Sequence, residues 1–286
     1  MNWLLKTAVL SVAVVGFVVT QQQPADNAQR MLDSQRFHYD AVQKPGLLVP
    51  LYIYPDNIAK NAAYDRIMDL RRRFPEVPFW VILNPASGPG SEVNANYTKA
   101  IDRLIGSGCT VLGYVPTGYG KVAAEKVASQ MQSWRTMYPR LHGIFFDEMI
   151  YEPTAAGVAH QVKLNSIARD MGFWPTVGNP GADTPGAYFA ADCADVIVVH
   201  ESGDWPTEKK LHGDYFGGHA DYPAWTRSVL VHSQAECDAA AIAMITRYSR
   251  WIYVTQDTYK PNDPAHNNPW DQLSTHLETM CEMLAK

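Results

Sequence analysis

Charge is scarce in this chain, and clustered basic charge is scarcer still. Only 19% of its 286 residues are charged, 24 Lys and Arg against 29 Asp and Glu, for a formal net charge of −5. A nucleic-acid partner would call for grouped Lys and Arg, so none is expected. The one basic run, Arg71-Arg72-Arg73, reads as a helix C-terminus, where the dipole favours cations. Cysteine is also rare. Cys109, Cys193, Cys237 and Cys281 include no CxxC pair, which argues against a zinc ribbon, and four are too few for a disulfide scaffold. None of the nine histidines has another three or four residues away, so the helical two-histidine zinc motif is missing. Ser87 has Pro85 where a nucleophile elbow needs Gly. Gly118-Tyr119-Gly120-Lys121 has Val115 where a phosphate loop needs Gly. No cofactor and no metal site are expected. A metal-dependent deacetylase assembled from distant residues stays as an alternative. Disorder is excluded by a hydrophobic content of 47%.

Long apolar runs are limited to one. Thr7 to Val19 carries no charge and follows Lys6. It is shorter than the roughly twenty residues of a bilayer span and suits the apolar core of a secretory signal. Residues 1–20 are read first as a cleaved signal, second as an uncleaved signal anchor that would attach the chain to a membrane, and third as a buried helix. Residues 21–44 are polar and Gln-rich and read as a stem. Secretion or a cell-surface location follows. There Asn96-Tyr97-Thr98 would be a glycosylation acceptor.

From residue 45 to 286 one module recurs. Apolar runs of strand length stand at Leu47–Tyr54, Phe79–Asn84, Thr110–Val115, Gly143–Phe146, Trp174–Val177, Val196–His200, Val229–His232 and Trp251–Thr255. Most are continuous rather than alternating, as parallel strands buried on both faces require. Helical patterns lie between them at Ile58–Phe74, Tyr97–Ile105, Ala123–Met137, Ala155–Met171, Ala235–Tyr248 and Asp271–Leu284. In the first, Ile58, Ala62, Ile67 and Leu70 would share the buried face. Eight strands, most of them about one βα unit apart, predict a single-domain α/β fold, a (β/α)8 TIM barrel, with a doubly wound sheet as competitor. In that layout no two cysteines are obvious neighbours, and most are expected free and buried.

In such a barrel the working residues sit at the C-terminal strand ends. The sharpest is Ile144-Phe145-Phe146-Asp147-Glu148, where two carboxylates end an apolar strand. Burial cost forbids this unless the strand opens into a polar pocket. Glu201 repeats the pattern after Val196-Ile197-Val198-Val199. Carboxylates on two barrel strands facing each other across the mouth suit glycoside hydrolysis. The bland reading is that either one caps a helix or pairs with a Lys or Arg. Adjacent strand residues point to opposite faces, so Asp147 is read as the deep carboxylate and Glu148 as a supporting or substrate-binding group. Aromatic and polar residues at the other ends, Tyr52, Tyr54, Asn84, Tyr114, Tyr119, Asn179, His200 and His232, are candidate substrate contacts. So is Trp205 in the long Ser202–Trp225 segment, whose Phe216 and Trp225 are expected to pack that segment's own core. His200 is also read as a satisfied core histidine.

The strand ends VPLYIYP (Val49–Pro55), ILNPASGPGS (Ile82–Ser91), VLGYVPTGYG (Val111–Gly120), GIFFDEM (Gly143–Met149) and VGNPG (Val177–Gly181) resemble spherulation-specific family 4, the spherulin-4 proteins grouped as glycoside hydrolase family 135. The resemblance implies a (β/α)8 barrel. For characterised fungal members it implies endo-hydrolysis of α-1,4-linked N-acetylgalactosamine stretches of galactosaminogalactan, a secreted exopolysaccharide. It maps the family's acidic motif onto Asp147 and Glu148 and its later glutamate onto Glu201. A retaining enzyme is expected, a monomer, with Asp147 attacking the anomeric carbon and Glu201 protonating the leaving oxygen. The other alternative is a non-catalytic carbohydrate-binding protein of the cell surface.

Overall fold

The computed structural model describes residues 44–56, 61–213 and 219–286. The expected leader, the stem up to residue 43, residues 58–60 of the first predicted helix, and Tyr215 and Phe216 lie outside the described residues. Eight parallel strands close in sequential order: β1 (Gly46–Leu51), β2 (Phe79–Leu83), β3 (Thr110–Pro116), β4 (Gly143–Asp147), β5 (Thr176–Asn179), β6 (Val196–Ser202), β7 (Arg227–Val231) and β8 (Trp251–Val254). The helices among the described residues are α1 (Ala62–Arg73), α2 (Ala95–Gly106), α3 (Ala124–Met137), α4 (Ala155–Asp170), α5 (Gly186–Ala190), α6 (Glu208–Leu211), α7 (Ala239–Tyr248) and α8 (Leu277–Leu284). The barrel is therefore the predicted (β/α)8 architecture. Every residue of β1, β2, β7 and β8 is buried, which is why these runs carry no alternation in sequence.

The helix starts follow local chemistry. The side chains of Asn61, Asn94, Thr154, Thr207 and Asp238 each accept a backbone N–H of the first turn of α1, α2, α4, α6 and α7. Arg71, Arg72 and Arg73 do occupy the last turn of α1. Arg71 donates to the carbonyls of Gly108 and Pro75, and Arg73 pairs with Glu278 of α8. One close approach requires a glycine. A Cβ on Gly113 of β3 would lie 2.7 Å from the Trp134 indole of α3, which packs flat there and donates from Nε1 to the Tyr114 carbonyl at 2.9 Å.

Several boundaries differ from the sequence reading. β1 ends at Leu51 rather than Tyr54, because the Tyr52 N–H leaves the ladder for the Trp270 carbonyl. β5 starts at Thr176, after Pro175, which has no N–H to give. α1 buries Tyr64, Ile67, Met68 and Leu70, whereas Ala62 is exposed at its first position. α7 begins at Ala239 because Asp238 caps it, and α8 begins only at Leu277 because the preceding residues belong to the barrel mouth. The short helices α5 and α6 are absent from the sequence reading, and Trp225 is half-buried against the main core rather than a separate core of its own segment. All four cysteines are free. Cys109, Cys193 and Cys281 are buried and Cys237 is half-buried.

Candidate active site

Four strand ends and one loop build a single polar cluster in the mouth. Asp147 is the last residue of β4, and its neighbour across the ladder is Asn179, the last residue of β5. The Asn179 amide nitrogen donates to Asp147 Oδ1 at 2.8 Å and to Glu201 Oε2 at 2.7 Å. Its own Oδ1 accepts from the Gly181 N–H at 2.9 Å. A backbone N–H can only donate, so this bond fixes which end of the amide faces the two acids. Gly181 sits at φ 68, the left-handed turn that lets its N–H fold back. Two bonds to one nitrogen hold the two carboxylate oxygens no more than about 5.5 Å apart, and about 5 Å at the spread of an amide's hydrogens.

Glu201 reaches this position through an irregularity. The β6–β7 register slips between Val198 and His200, so one residue of β6 is unmatched just before the acid. Such bulges re-aim side chains next to active sites.

The surroundings raise both carboxyl groups, Glu201 with less opposition. Burial, then the neighbouring Asp147 charge, raises Glu201 from its ordinary value to about 7. Burial raises Asp147 as well, but the Tyr114 hydroxyl (2.6 Å), the Glu148 backbone N–H and the Asn179 amide oppose it by bonding the charged form. At neutral pH this arrangement favours an ionised Asp147 beside a Glu201 able to carry a proton. The Trp270 indole, 6% exposed in the loop after β8, donates from Nε1 to Glu201 Oε1 at 3.2 Å. Trp270→Phe removes a donor that favours the charged form. Its expected effect is a Glu201 pKa above that of wild type, read as an alkaline limb of kcat/KM moved to higher pH.

Glu148 follows the end of β4 at φ 51, a left-handed conformation that is strained for any residue with a Cβ. Ser87, Tyr119 and Ser233, on the loops after β2, β3 and β7, share such positive φ values. The strain at Glu148 is held in place by Thr117, whose hydroxyl donates to the Glu148 carbonyl at 2.7 Å, and by the Tyr119 N–H, which donates to the same carbonyl at 2.6 Å. The Glu148 carboxylate is half-buried beside Asp147 and has no hydrogen-bond partner among the described residues. Glu148→Gly is expected to keep or raise stability, by up to about 1 kcal/mol, because relief of strain offsets the added chain entropy. Thermal unfolding alongside turnover measures this; a clear loss of stability would show that the conformation is not strained.

The other predicted contacts divide. Tyr52 and Tyr114 meet edge to face at 5.7 Å, and burial followed by the Asp147 charge raises both hydroxyls well above the ordinary phenol range. They border the acids directly. Tyr54 and Tyr119 are exposed on the mouth's outer loops at 50% and 46%, Tyr54 accepting from Asn94 and Asn96 through its hydroxyl. His232 lies one residue past β7, edge to face with Trp270 at 6.0 Å. Asn84 instead shapes its own loop by accepting the Gly88 N–H at 3.0 Å. His200 is buried and bonded through Nε2 to the Asp204 carbonyl at 2.9 Å. That bond holds the turn after β6 and keeps His200 off the acids. Trp205 is half-buried against the core. Trp270 was not anticipated. Its only sequence signal is an aromatic in the Pro- and Asn-rich stretch Tyr259–Trp270 after the last strand. Among the described residues no three His, Cys, Asp or Glu side chains converge as a metal ligand set.

Comparison with known proteins bears on the family and the fold. Residues 46–284 match spherulation-specific family 4. Spherulin-4 of Physarum polycephalum is 31% identical over 159 residues, 55% of this chain but 45% of that protein, so the match spans less than half of the relative's length. The crystal structure of Aspergillus clavatus Sph3 in complex with GalNAc superposes with a TM-score of 0.70 at 26% identity, covering 85% of this chain and 98% of that one. A beta-glucuronidase from an uncultured Clostridium sp. shares the fold, with a TM-score of 0.52, 9% identity, and coverage of 84% and 50%.

Proposed function

The chain belongs to spherulation-specific family 4, and from that premise we propose that it is an endo-acting, retaining glycoside hydrolase. Its substrate on this reading is a polysaccharide containing α-1,4-linked N-acetylgalactosamine, such as galactosaminogalactan. The observation that carries the proposal is the pair Asp147 and Glu201 joined through one Asn179 nitrogen. The bridge keeps the two facing oxygens no more than about 5.5 Å apart, which supports the short spacing of a retaining pair, about 5–5.5 Å, over the about 6.5–9.5 Å of an inverting one. The solved relative with GalNAc bound supports an N-acetylgalactosamine unit as the sugar. The leader expected at residues 1–20 would deliver the enzyme, as a monomer, to a polymer outside the cell.

In the first step Asp147 attacks the anomeric carbon while Glu201 gives its proton to the departing glycosidic oxygen. An α-linked 2-acetamido sugar carries its acetamido group on the same side as the leaving group. That group cannot displace from behind, so the enzyme supplies the nucleophile. In the second step Glu201, now ionised, takes a proton from water, which releases the sugar from Asp147 with its configuration retained. Tyr114 holds Asp147 ready by donating to Oδ2, the oxygen that Asn179 leaves free. The Asn179 amide touches both acids and so keeps them in register through both steps.

The test is incubation with purified galactosaminogalactan and with chitin-type polymers, followed by mass analysis of the products and NMR of the first-formed anomer. Internal fragments ending in N-acetylgalactosamine with the α configuration are expected. A β first product would overturn retention. Release of acetate without chain cleavage would identify a deacetylase, and binding without any product a carbohydrate-binding protein.

A further inference from the structure

Among the described residues the exposed large apolar side chains are Tyr54, Val93, Tyr119 and Tyr259. Three of these are tyrosines on loops of the barrel mouth. Tyr259, 48% exposed, stands in the loop after β8 and has no part in the chemistry described above. Its backbone N–H donates to Ser233 Oγ at 3.3 Å, which ties it to the end of β7. Its ring meets His232 edge to face at 5.8 Å, His232 meets Trp270 at 6.0 Å, and Trp270 donates to Glu201. A continuous series of rings thus runs from the proton donor outward to an exposed aromatic.

The direction of that series is informative. In a retaining hydrolase the acid stands beside the departing oxygen and the nucleophile beside the sugar that stays bound. The rings lead away from Glu201, not from Asp147, so they follow the departing portion of the chain. His232 is held by its Nδ1, 2.9 Å from Ser233 Oγ, and its Nε2 has no partner among the described residues. A galacto-configured ring offers one face of C–H groups and hydroxyls at its edge. The negative face of an aromatic ring suits the first, and an unengaged imidazole nitrogen suits the second.

We propose that Tyr259 and His232 form a leaving-group-side subsite, Tyr259 stacking on a galactosamine-type ring of the departing chain and His232 Nε2 hydrogen-bonding its hydroxyl. The inference rests on the hydrolase reading above. The test compares two substrates in wild type, Tyr259→Ala and Tyr259→Trp. One is an N-acetylgalactosamine polymer. The other is an aryl glycoside of a short N-acetylgalactosamine oligosaccharide, which departs as a phenol and leaves no sugar on that side. In Tyr259→Ala the ratio of kcat/KM on polymer to kcat/KM on aryl glycoside is expected to fall about tenfold, through KM, and in Tyr259→Trp to return toward wild type. An unchanged ratio in Tyr259→Ala overturns the subsite and leaves the hydrolase standing. A wild-type enzyme that cleaves neither substrate overturns the hydrolase reading and the subsite with it.

Discussion

Asp147→Asn is expected to lower kcat on the polymer by on the order of 10⁴-fold, the size that follows when an essential side chain of the chemical step is lost. The structure says why the effect should fall on chemistry rather than on folding. The Tyr114 hydroxyl can still donate to an amide oxygen at this position, and β4 ends at the same residue, so the fold keeps that bond and loses only the one from the Asn179 amide, which then faces a second donor. What is lost, on the proposed mechanism, is the negative oxygen that attacks the anomeric carbon. Asp147→Gly opens the same space, and added azide is expected to restore turnover by attacking from the vacated side. The product would be a β-glycosyl azide, which NMR distinguishes from the α form. Asp147→Asn activity within tenfold of wild type would remove Asp147 from the mechanism. Asp147→Asn inactivity with an α-azide product would remove it as nucleophile.

Glu201→Gln is the second large effect, a fall of about 10²–10⁴-fold on the polymer, the range of a lost general acid and base. It carries a pH signature. On the proposed mechanism kcat/KM requires Glu201 protonated and Asp147 ionised, so the profile should fall as pH rises through about 7 and fall again in acid as Asp147 protonates. In Glu201→Gln the limb near 7 should vanish. Stability gives an independent reading. Burial lifts Glu201 above its unfolded value of about 4.5 to about 7, so between those values the folded chain holds more protons than the unfolded one. Wild type therefore loses stability from this group as pH rises across that window. Gln does not titrate, so the Tm of Glu201→Gln relative to wild type should climb from pH 4.5 to pH 7.5 and level off beyond. A difference that is flat across this range would mean that Glu201 is not shifted and is no acid at neutral pH.

Both predictions draw on residues that the sequence already singled out, and the reason is general. A carboxylate directly after an apolar strand is costly unless the strand opens into a pocket, so Asp147 after Ile144-Phe145-Phe146 and Glu201 after Val196-Ile197-Val198-Val199 stand out with no structure at hand. Residues whose signal is not local were harder to read. Asn84, Asn179 and His200 look alike at strand ends, yet one shapes a turn, one bridges the acids and one holds a backbone carbonyl. Polar side chains of similar type take their roles from what the neighbouring strand presents, and a single strand's sequence does not encode its neighbour.

The amino-acid sequence alone determined a parallel α/β fold, because continuous apolar runs a βα unit apart must be buried on both faces, and the count of eight such runs favoured a barrel over a doubly wound sheet. It also determined that carboxylates end two of those strands. Tertiary structure alone decided that one Asn179 nitrogen spans Asp147 and Glu201, that a register slip aims Glu201, and that Trp270 and Tyr259 arrive from the loop after β8. These depend on ångström-scale distances between segments far apart in the chain. Such distances are set by barrel closure and loop paths, for which local hydrophobic pattern carries no information.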